Sequence, residues 1–397
     1  MKKILLITPG IFPVPATHGG AVEYLTQLYV DENDKKQHVI LDVITISLDK
    51  NDEKQNNKYK NTNFIYINGM KKTFKFSRII RYIINCIFPF YVNNAYIHEV
   101  IKKLEKNKKK YDEIIIENNP LFVKSIRQIY KDTPIVLHLH NDYLNDQSKH
   151  NKYILDNCTK VYAVSNYISS RVQTIYKTNK VEVVYNGIDL DCFTKKYSQN
   201  ELEKCRKKYD ITSSNFIFLY VGRLIPEKGV LELMHAFQQI NKEFPTTKLL
   251  IVGSKSTKKS RMGTFGKKLL NLSKDNNNII FTGYIDYNNI PLIYSISDVA
   301  IVPSKWGEPF GNVVVEGLAS DTKQIVTNDG GISEIVKGTS ASIIDKSGLT
   351  NNLYSEMKNL IEKNNKSDSS NDLKIAKQFS KESYIKNIFS KIMEVKK

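Results

Sequence analysis

Two trains of short apolar runs, separated by one polar stretch, constrain this chain more than any other feature. In the first train, KILLIT (3–8), VILDVITIS (39–47), NFIYIN (63–68), YDEIIIE (111–117), PIVLHLH (134–140) and KVYAVS (160–165) are rich in β-branched residues. Such runs, bounded by polar residues, predict strands buried on both faces. Segments with helical spacing lie between them, GGAVEYLTQLYVDEN after the first run and YISSRVQTIYK after the sixth. The train restarts beyond TKKYSQNELEKCRKKYDITSSN (194–215), with FIFLYVGRL (216–224), KLLIVG (248–253), NIIFTGYI (278–285), DVAIVPS (298–304) and QIVTND (324–329). Strands that alternate with helices must be joined by crossovers, so the sheets they form are parallel and doubly wound. The pattern predicts an α/β chain of two domains, 1–195 and 196–378. The amphipathic segment 379–397 closes the chain as a helix expected to pack back toward the first domain.

The chain has 397 residues, enough for two such cores, and a hydrophobic fraction of 41% argues against wholesale disorder. The N-terminus, MKKILLITPGIFP, places basic residues before an apolar run as a signal peptide does. The run is short and broken by Pro and Gly, so a buried first strand and a cytoplasmic protein are the expectation. Cys86, Cys158, Cys192 and Cys205 include no CxxC pair, which predicts free thiols and neither a zinc site nor a disulfide framework. A net charge of +18 is spread along both halves. Nucleic acid, anionic lipid and phosphorylated small molecules are all partners such a charge would suit. Residues 78–92, RIIRYIINCIFPFYV, are the most apolar stretch but are too short and too interrupted to span a bilayer. With the preceding KKTFKF they fit equally a core helix or a segment (71–92) lying on an anionic membrane surface.

Two stretches carry the chemistry. In VGRLIPEKGV (221–230) a strand ends in a loop bearing Arg223 and Lys228 before a helix opens. That is where doubly wound folds hold phosphate, and the two cations suit a pyrophosphate and its departure as a leaving group. An ordinary surface loop is the plain alternative. In PSKWGEPFGNVVVEGLAS (303–320), Glu308 follows a predicted strand, Phe310-Gly311-Asn312 turn the chain into a helix, and Glu316 lies about two turns on. Carboxylates there are acceptors for sugar hydroxyls, and the first helical N–H groups are donors for ligand oxygens. A solvated helix face is the alternative for the two acids. His138 and His140 alternate on one strand and so share a face. His140, nearer the strand's carboxyl end, is the preferred site residue. The sequence shows no third metal ligand beside the pair. His18, before Gly19, is a further candidate. Asp189-Leu190-Asp191 has the spacing of a metal-holding Asp-x-Asp, but a cap or turn role is expected for it.

In order along the chain, FPVPATHGGAVEYLTQL, HLHND, AVSNYI, VYNGIDLDCF, VGRLIPEKGV, LLIVGS, FTGYI, YSISDVAIVPS, EPFGNVVVEGLAS and GGISEIV resemble the retaining glycosyltransferases of family 4. The resemblance implies the GT-B fold, in which two Rossmann-like domains face each other across a cleft. It implies that Glu316 holds the ribose hydroxyls of a nucleotide and Glu308 a hydroxyl of the transferred sugar. The amides of Phe310, Gly311 and Asn312 would bind sugar hydroxyls or phosphate, and Arg223 and Lys228 would grip the diphosphate. The Gly19-Gly20 loop would approach that diphosphate, Tyr284 would lie near the base, and His140 would sit beside the reacting carbon.

The expected activity is hexose transfer with retention from a UDP- or GDP-sugar to a glycan or lipid-linked acceptor in cell-surface polysaccharide synthesis. No metal or other cofactor is expected, since Arg223 and Lys228 supply the charge a cation would. Association with the inner membrane face through 71–92 is a corollary. Three rivals stand beside this reading: a nucleic-acid-binding protein, for which no module is visible; a nicotinamide enzyme, disfavoured because no GxGxxG follows the first strand; and another GT-B activity such as an epimerase or phosphorylase.

Overall fold

The computed structural model describes residues 1–87, 94–253, 263–363 and 371–395. Residues 88–92 of the 71–92 segment therefore lie outside the described residues. The chain forms two units, one built from Met1–Tyr185 with Tyr384–Lys397 and the other from Asn186–Ser383.

In the first unit the strands are β1 (Lys3–Ile7), β2 (Ile40–Ser47), β3 (Thr62–Asn68), β4 (Glu113–Glu117), β5 (Ile135–Leu139), β6 (Lys160–Ala163) and β7 (Val181–Val183). They form one parallel sheet in the order β3-β2-β1-β4-β5-β6-β7. Ile4, Leu5, Leu6 and Ile7 of β1 are fully buried, as an apolar strand covered by helices on both faces must be. The helix Lys381–Glu394 buries Tyr384, Ile388, Phe389 and Ile392. Its Phe389 ring meets Tyr29 edge-on at 6.5 Å. Lys2 Nζ donates to its last carbonyls, Ile392 O (2.6 Å) and Val395 O (3.0 Å), where a cation complements the helix dipole.

The second unit carries β8 (Phe216–Val221), β9 (Thr247–Val252), β10 (Ile279–Gly283), β11 (Val299–Val302), β12 (Lys323–Thr327) and β13 (Ser342–Ile344), again all parallel, in the order β10-β9-β8-β11-β12-β13. Both orders reverse direction beside the first strand, between β1 and β4 and between β8 and β11. There the loops leaving adjacent strands diverge to opposite faces and open a crevice at the strands' carboxyl ends, the place where doubly wound sheets bind ligands. Every residue singled out above falls on a loop or helix start at one of these carboxyl edges except Glu316, which lies a turn inside a helix.

No helix among the described residues is long and apolar enough to cross a membrane. The helix Lys72–Ile87 does present Phe76 and Ile79 to solvent, 67% and 58% exposed, along with Ile80.

Candidate active site

At the β8/β11 crevice the loop after β8 turns through a 3₁₀ segment, Pro226–Lys228, into the helix Val230–Glu243. Gly229 makes the turn at φ +68°, and a Cβ there would stand 1.9 Å from the carbonyl oxygen of Pro303. Only glycine permits that approach. It clamps the Lys228 loop onto the end of β11, and Lys305 N adds a bond to Glu227 O at 2.8 Å. The clamp brings Lys228 and Glu308, 80 residues apart, into an ion pair of largely buried side chains. Ser304 Oγ donates to the same Glu308 oxygen at 3.2 Å. Arg223 is exposed one turn earlier, its carbonyl fixed by the buried Tyr220 hydroxyl at 2.8 Å. Burial, and then the Glu308 carboxylate, push the Tyr220 phenol up while the Arg223 guanidinium pulls it back, so both charges lie within electrostatic reach of one hydroxyl. Arg223, Lys228 and Glu308 are thus gathered at one crevice.

The second half of that wall is held from behind by Gly330 and Gly331. Gly331 N donates to Glu308 O at 2.7 Å. A Cβ on Gly330 would lie 2.3 Å from Glu308 O, and one on Gly331 would lie 2.5 Å from Pro309 O. The Gly-Gly pair therefore packs backbone to backbone against the Glu308–Phe310 turn. Phe310 is buried, its ring edge-on to Phe379 at 5.4 Å, which anchors the turn rather than presenting the ring to a ligand. Gly311, at φ +112°, starts the helix Asn312–Ala319 without any side-chain cap, leaving that N-terminus to its backbone donors. The Asn312 side chain accepts from Asn186 Nδ2 at 2.9 Å.

Glu316 is nearly fully buried within that helix. Burial pushes its carboxyl up to about 7, against the pull of the Tyr287 and Tyr294 hydroxyls, which bond to it. Tyr294 is buried and Tyr287 is partly exposed, with its ring edge-on to Phe193 at 5.6 Å. Tyr284, singled out in the sequence, follows Gly283 at the end of β10 and is 43% exposed. The residue that reaches Glu316 is Tyr287, three positions on, whose role the sequence did not signal.

In the first unit Gly19 and Gly20 both have positive φ (81° and 103°) and lead into the helix Ala21–Lys36. Gly19 has open space around its missing Cβ, whereas a Cβ on Gly20 would strike Glu23 Oε2 at 2.2 Å. Glu23 is buried, and its carboxyl is pushed up to about 7 by that burial, against backbone N–H bonds from Glu23 and Phe12.

His138 and His140 share a face of β5 and its extension, as their spacing predicts, with ring centroids 4.2 Å apart. Both meet a residue the sequence did not single out. Glu117, the buried last residue of β4, lies opposite His138 in the parallel register. Its Oε2 is 3.1 Å from His140 Nε2 and 3.3 Å from His138 Nδ1, and its Oε1 accepts from Tyr29 Oη at 2.9 Å. Burial alone would raise this carboxyl, but the two imidazoles outweigh it and hold Glu117 well below the usual carboxylate range. The third acid that the sequence lacked beside the histidine pair is therefore present in space. Glu117, His138 and His140 form a buried group whose donor atoms lie within 4.8 Å of one another. His140 N also donates to Asn118 Oδ1 at 2.9 Å, so both ring and backbone of His140 are fixed.

Two further candidates are tied up locally. His18 Nε2 lies 3.1 Å from Asp52 Oδ1 and 3.2 Å from Asp49 Oδ2, while Thr17 Oγ1 donates to Asp52 at 2.7 Å. Asp49 and Asp52 are themselves the capping box of the helix Lys50–Lys54, so His18 anchors the loop before Gly19 to that cap. The expected cap role of Asp189-Leu190-Asp191 is corrected. Asp189 stands at a helix N-cap position but makes no side-chain cap. Both aspartates instead receive Lys381 Nζ, at 2.8 and 3.3 Å. The pair pins residues 188–191 to 380–381, which Ile188 and Ser380 already join by a parallel bridge.

Comparison with known proteins agrees with this architecture. Residues 202–379 match the family model of glycosyl transferases group 1, and residues 44–192 match that of Glycosyltransferase Family 4. The putative glycosyltransferase YtcC of Bacillus subtilis is 32% identical over 238 residues, a span covering 57% of this chain and 58% of that protein. The lipopolysaccharide 1,2-N-acetylglucosaminetransferase of Salmonella typhimurium is 26% identical over 341 residues, 85% of this chain and 83% of that protein. The crystal structure of Anabaena Alr3699/HepE in complex with UDP and glucose superimposes with a TM-score of 0.74 at 19% identity, covering 100% of both chains. With two family models spanning most of its length and GT-B structures matching it end to end, the chain belongs to the group 1, family 4 glycosyltransferases.

Proposed function

We propose that the protein moves a hexose from a uridine or guanosine diphosphate sugar to a hydroxyl of a glycan or lipid-linked acceptor, retaining the anomeric configuration, in cell-surface polysaccharide assembly. The observation that carries this reading is the Lys228–Glu308 pair beside Arg223 at the β8/β11 crevice. It sets two cations where a diphosphate would lie and a carboxylate where a sugar hydroxyl would donate. The relative acting on lipopolysaccharide and the neighbour that binds UDP support the pathway and the nucleotide.

In this reading the bond from the anomeric carbon to the diphosphate oxygen breaks as the acceptor oxygen bonds to the same carbon. The acceptor proton passes to the departing diphosphate. Negative charge grows on that diphosphate, and Arg223 and Lys228 stabilise it electrostatically. Glu308 fixes the sugar, Glu316 the ribose, and His140 the reacting centre, so the remaining contribution is placement. The first unit supplies the acceptor. The exposed Phe76, Ile79 and Ile80 on a lysine-bearing helix support a membrane-derived acceptor.

A screen of nucleotide sugars for release of nucleoside diphosphate, run with EDTA present, tests the reading. Turnover of a UDP- or GDP-hexose that EDTA leaves unchanged is expected. Turnover that requires a divalent ion would instead assign the Glu117–His138–His140 group to a cation. Donor consumed with no glycosidic product would indicate an epimerase or hydrolase.

The buried Glu316 adds a pH signature. Its carboxyl sits near 7 in the free protein, above the unfolded value, so its stabilisation of the fold is complete below about 4.5 and lost as pH rises through 7. Nucleotide binding runs the other way, because ribose hydroxyls donate to the ionised form. Nucleoside diphosphate affinity is expected to rise about fivefold from pH 6 to pH 7 and then level off. Calorimetric titration checks this, and Glu316→Gln should flatten the profile.

A further inference from the structure

The first unit contains a cavity of about 770 Å³ that none of the donor-side chemistry uses. Its size falls within the range of small-molecule sites. The loops leaving β1, β2, β4 and β5 border it, so it opens at the carboxyl edge of the first sheet, beside the β1/β4 switch point. The inner wall is apolar and amide-bearing: Tyr96 and Phe74 are buried, and Asn118 and Asn119 lie at the end of β4. Asn118 holds the non-glycine left-handed conformation (φ +49°), and its Oδ1 receives the backbone N–H of His140. The cavity wall is thus continuous with His140.

Charge is distributed unevenly over the lining. Lys75, Arg78 and Lys149 contribute three cations, against one carboxylate, Asp142. That carboxylate is already engaged, Oδ2 with Arg171 Nε at 2.7 Å and Oδ1 with Asn145 Nδ2 at 2.8 Å. Among the described residues, no carboxylate lies within ion-pairing distance of Lys75, Arg78 or Lys149, whereas Lys2, Lys109, Lys160 and Lys391 of the same unit are all paired. Three unmatched cations around an apolar, amide-lined cavity complement one kind of ligand: a sugar or apolar body carrying a phosphate.

We infer that the acceptor is anionic, a phosphate-bearing glycan or glycolipid whose phosphate is held by Lys75, Arg78 and Lys149. The inference deepens the transferase reading and rests on the first unit supplying the acceptor. Asn118 and Asn119 meet hydroxyls of the body, and the cations fix the phosphate through charge-assisted hydrogen bonds.

Calorimetric titration of the full chain with glucose 1-phosphate and, separately, with methyl α-glucoside tests this. Vesicles of phosphatidylcholine with and without phosphatidic acid are probed in parallel by flotation. Wild-type protein is expected to bind glucose 1-phosphate, at least about tenfold more tightly than the uncharged glucoside. The triple variant Lys75→Ala/Arg78→Ala/Lys149→Ala should lose that preference while binding UDP or GDP as before, which also shows that it is folded. Flotation with phosphatidic acid that the triple variant loses would identify the phosphate as a lipid headgroup. Binding of glucose 1-phosphate without flotation would identify a soluble phosphorylated sugar. The inference is overturned if the triple variant retains every anionic interaction, or if Lys228→Ala alone abolishes glucose 1-phosphate binding. It is overturned equally if wild type binds neither anionic probe. A transferase reading that fails is recognised separately, by intact nucleotide binding without turnover of any nucleotide sugar.

Discussion

Lys228→Ala is expected to lower kcat by about a thousandfold, the upper end of what removing one preorganised charge from a transition state costs. Glu308→Gln should lower it by about a hundredfold or more, through loss of the sugar hydroxyl's acceptor. Stability will respond differently. Lys228 and Glu308 pair with only 16% and 15% of their side chains exposed. Removing either leaves the other partly desolvated and unmatched, which costs more than removing both. The double variant Lys228→Met/Glu308→Gln should therefore regain most of the thermal midpoint lost in Lys228→Ala without regaining rate. Steady-state kinetics and thermal melts on the three variants check both halves. Near-normal rates in both single variants would mean that the chemistry lies elsewhere.

His140→Ala and Glu117→Gln are expected to lower kcat by about a hundredfold each, while changing nucleoside diphosphate affinity by less than about twofold. The reason lies in which groups touch which: the nucleotide contacts all belong to the second unit, whereas Glu117 fixes His140 at 3.1 Å and accepts from Tyr29 at 2.9 Å. An amide at position 117 keeps the shape, but its NH₂ group cannot accept from the donors now aimed at an oxygen, leaving buried polar groups unmatched. Because Glu117 is held ionised by the two imidazoles, its contribution to stability is present at neutral pH and lost as pH falls below the ordinary carboxylate range. Glu117→Gln should therefore make stability less acid-sensitive and displace the acidic limb of the rate profile. A merely structural role would leave that limb in place. If His140→Ala weakened nucleotide binding more than turnover, His140 would have to be reassigned to donor binding.

The apolar strands were legible because central parallel strands are buried on both faces and cannot hide their composition. Val181–Val183 and Ser342–Ile344 were not, since each is a three-residue edge strand with exposed or half-exposed side chains. Lys228 and Glu308 were readable as neighbours because the sheet order brings the ends of β8 and β11 together whatever the loops contain. Glu117 was not. It reads as the last residue of an apolar run, and its function depends on the β4/β5 register that sets it opposite His138. Tyr287 escaped notice for a similar reason, as its partner Glu316 lies across the fold from β10. The pairing of Asp189 and Asp191 with Lys381 spans 192 and 190 residues, and no local pattern encodes a partner so remote.

Trp306, the chain's single tryptophan, stands two residues before Glu308 on the crevice loop and is 38% exposed. Its fluorescence during a titration with UDP and GDP therefore reports on that loop alone. The account predicts a saturable change with one of the two, at least about tenfold weaker in Lys228→Ala. A flat signal with both nucleotides, or an unaltered titration in the variant, would contradict it.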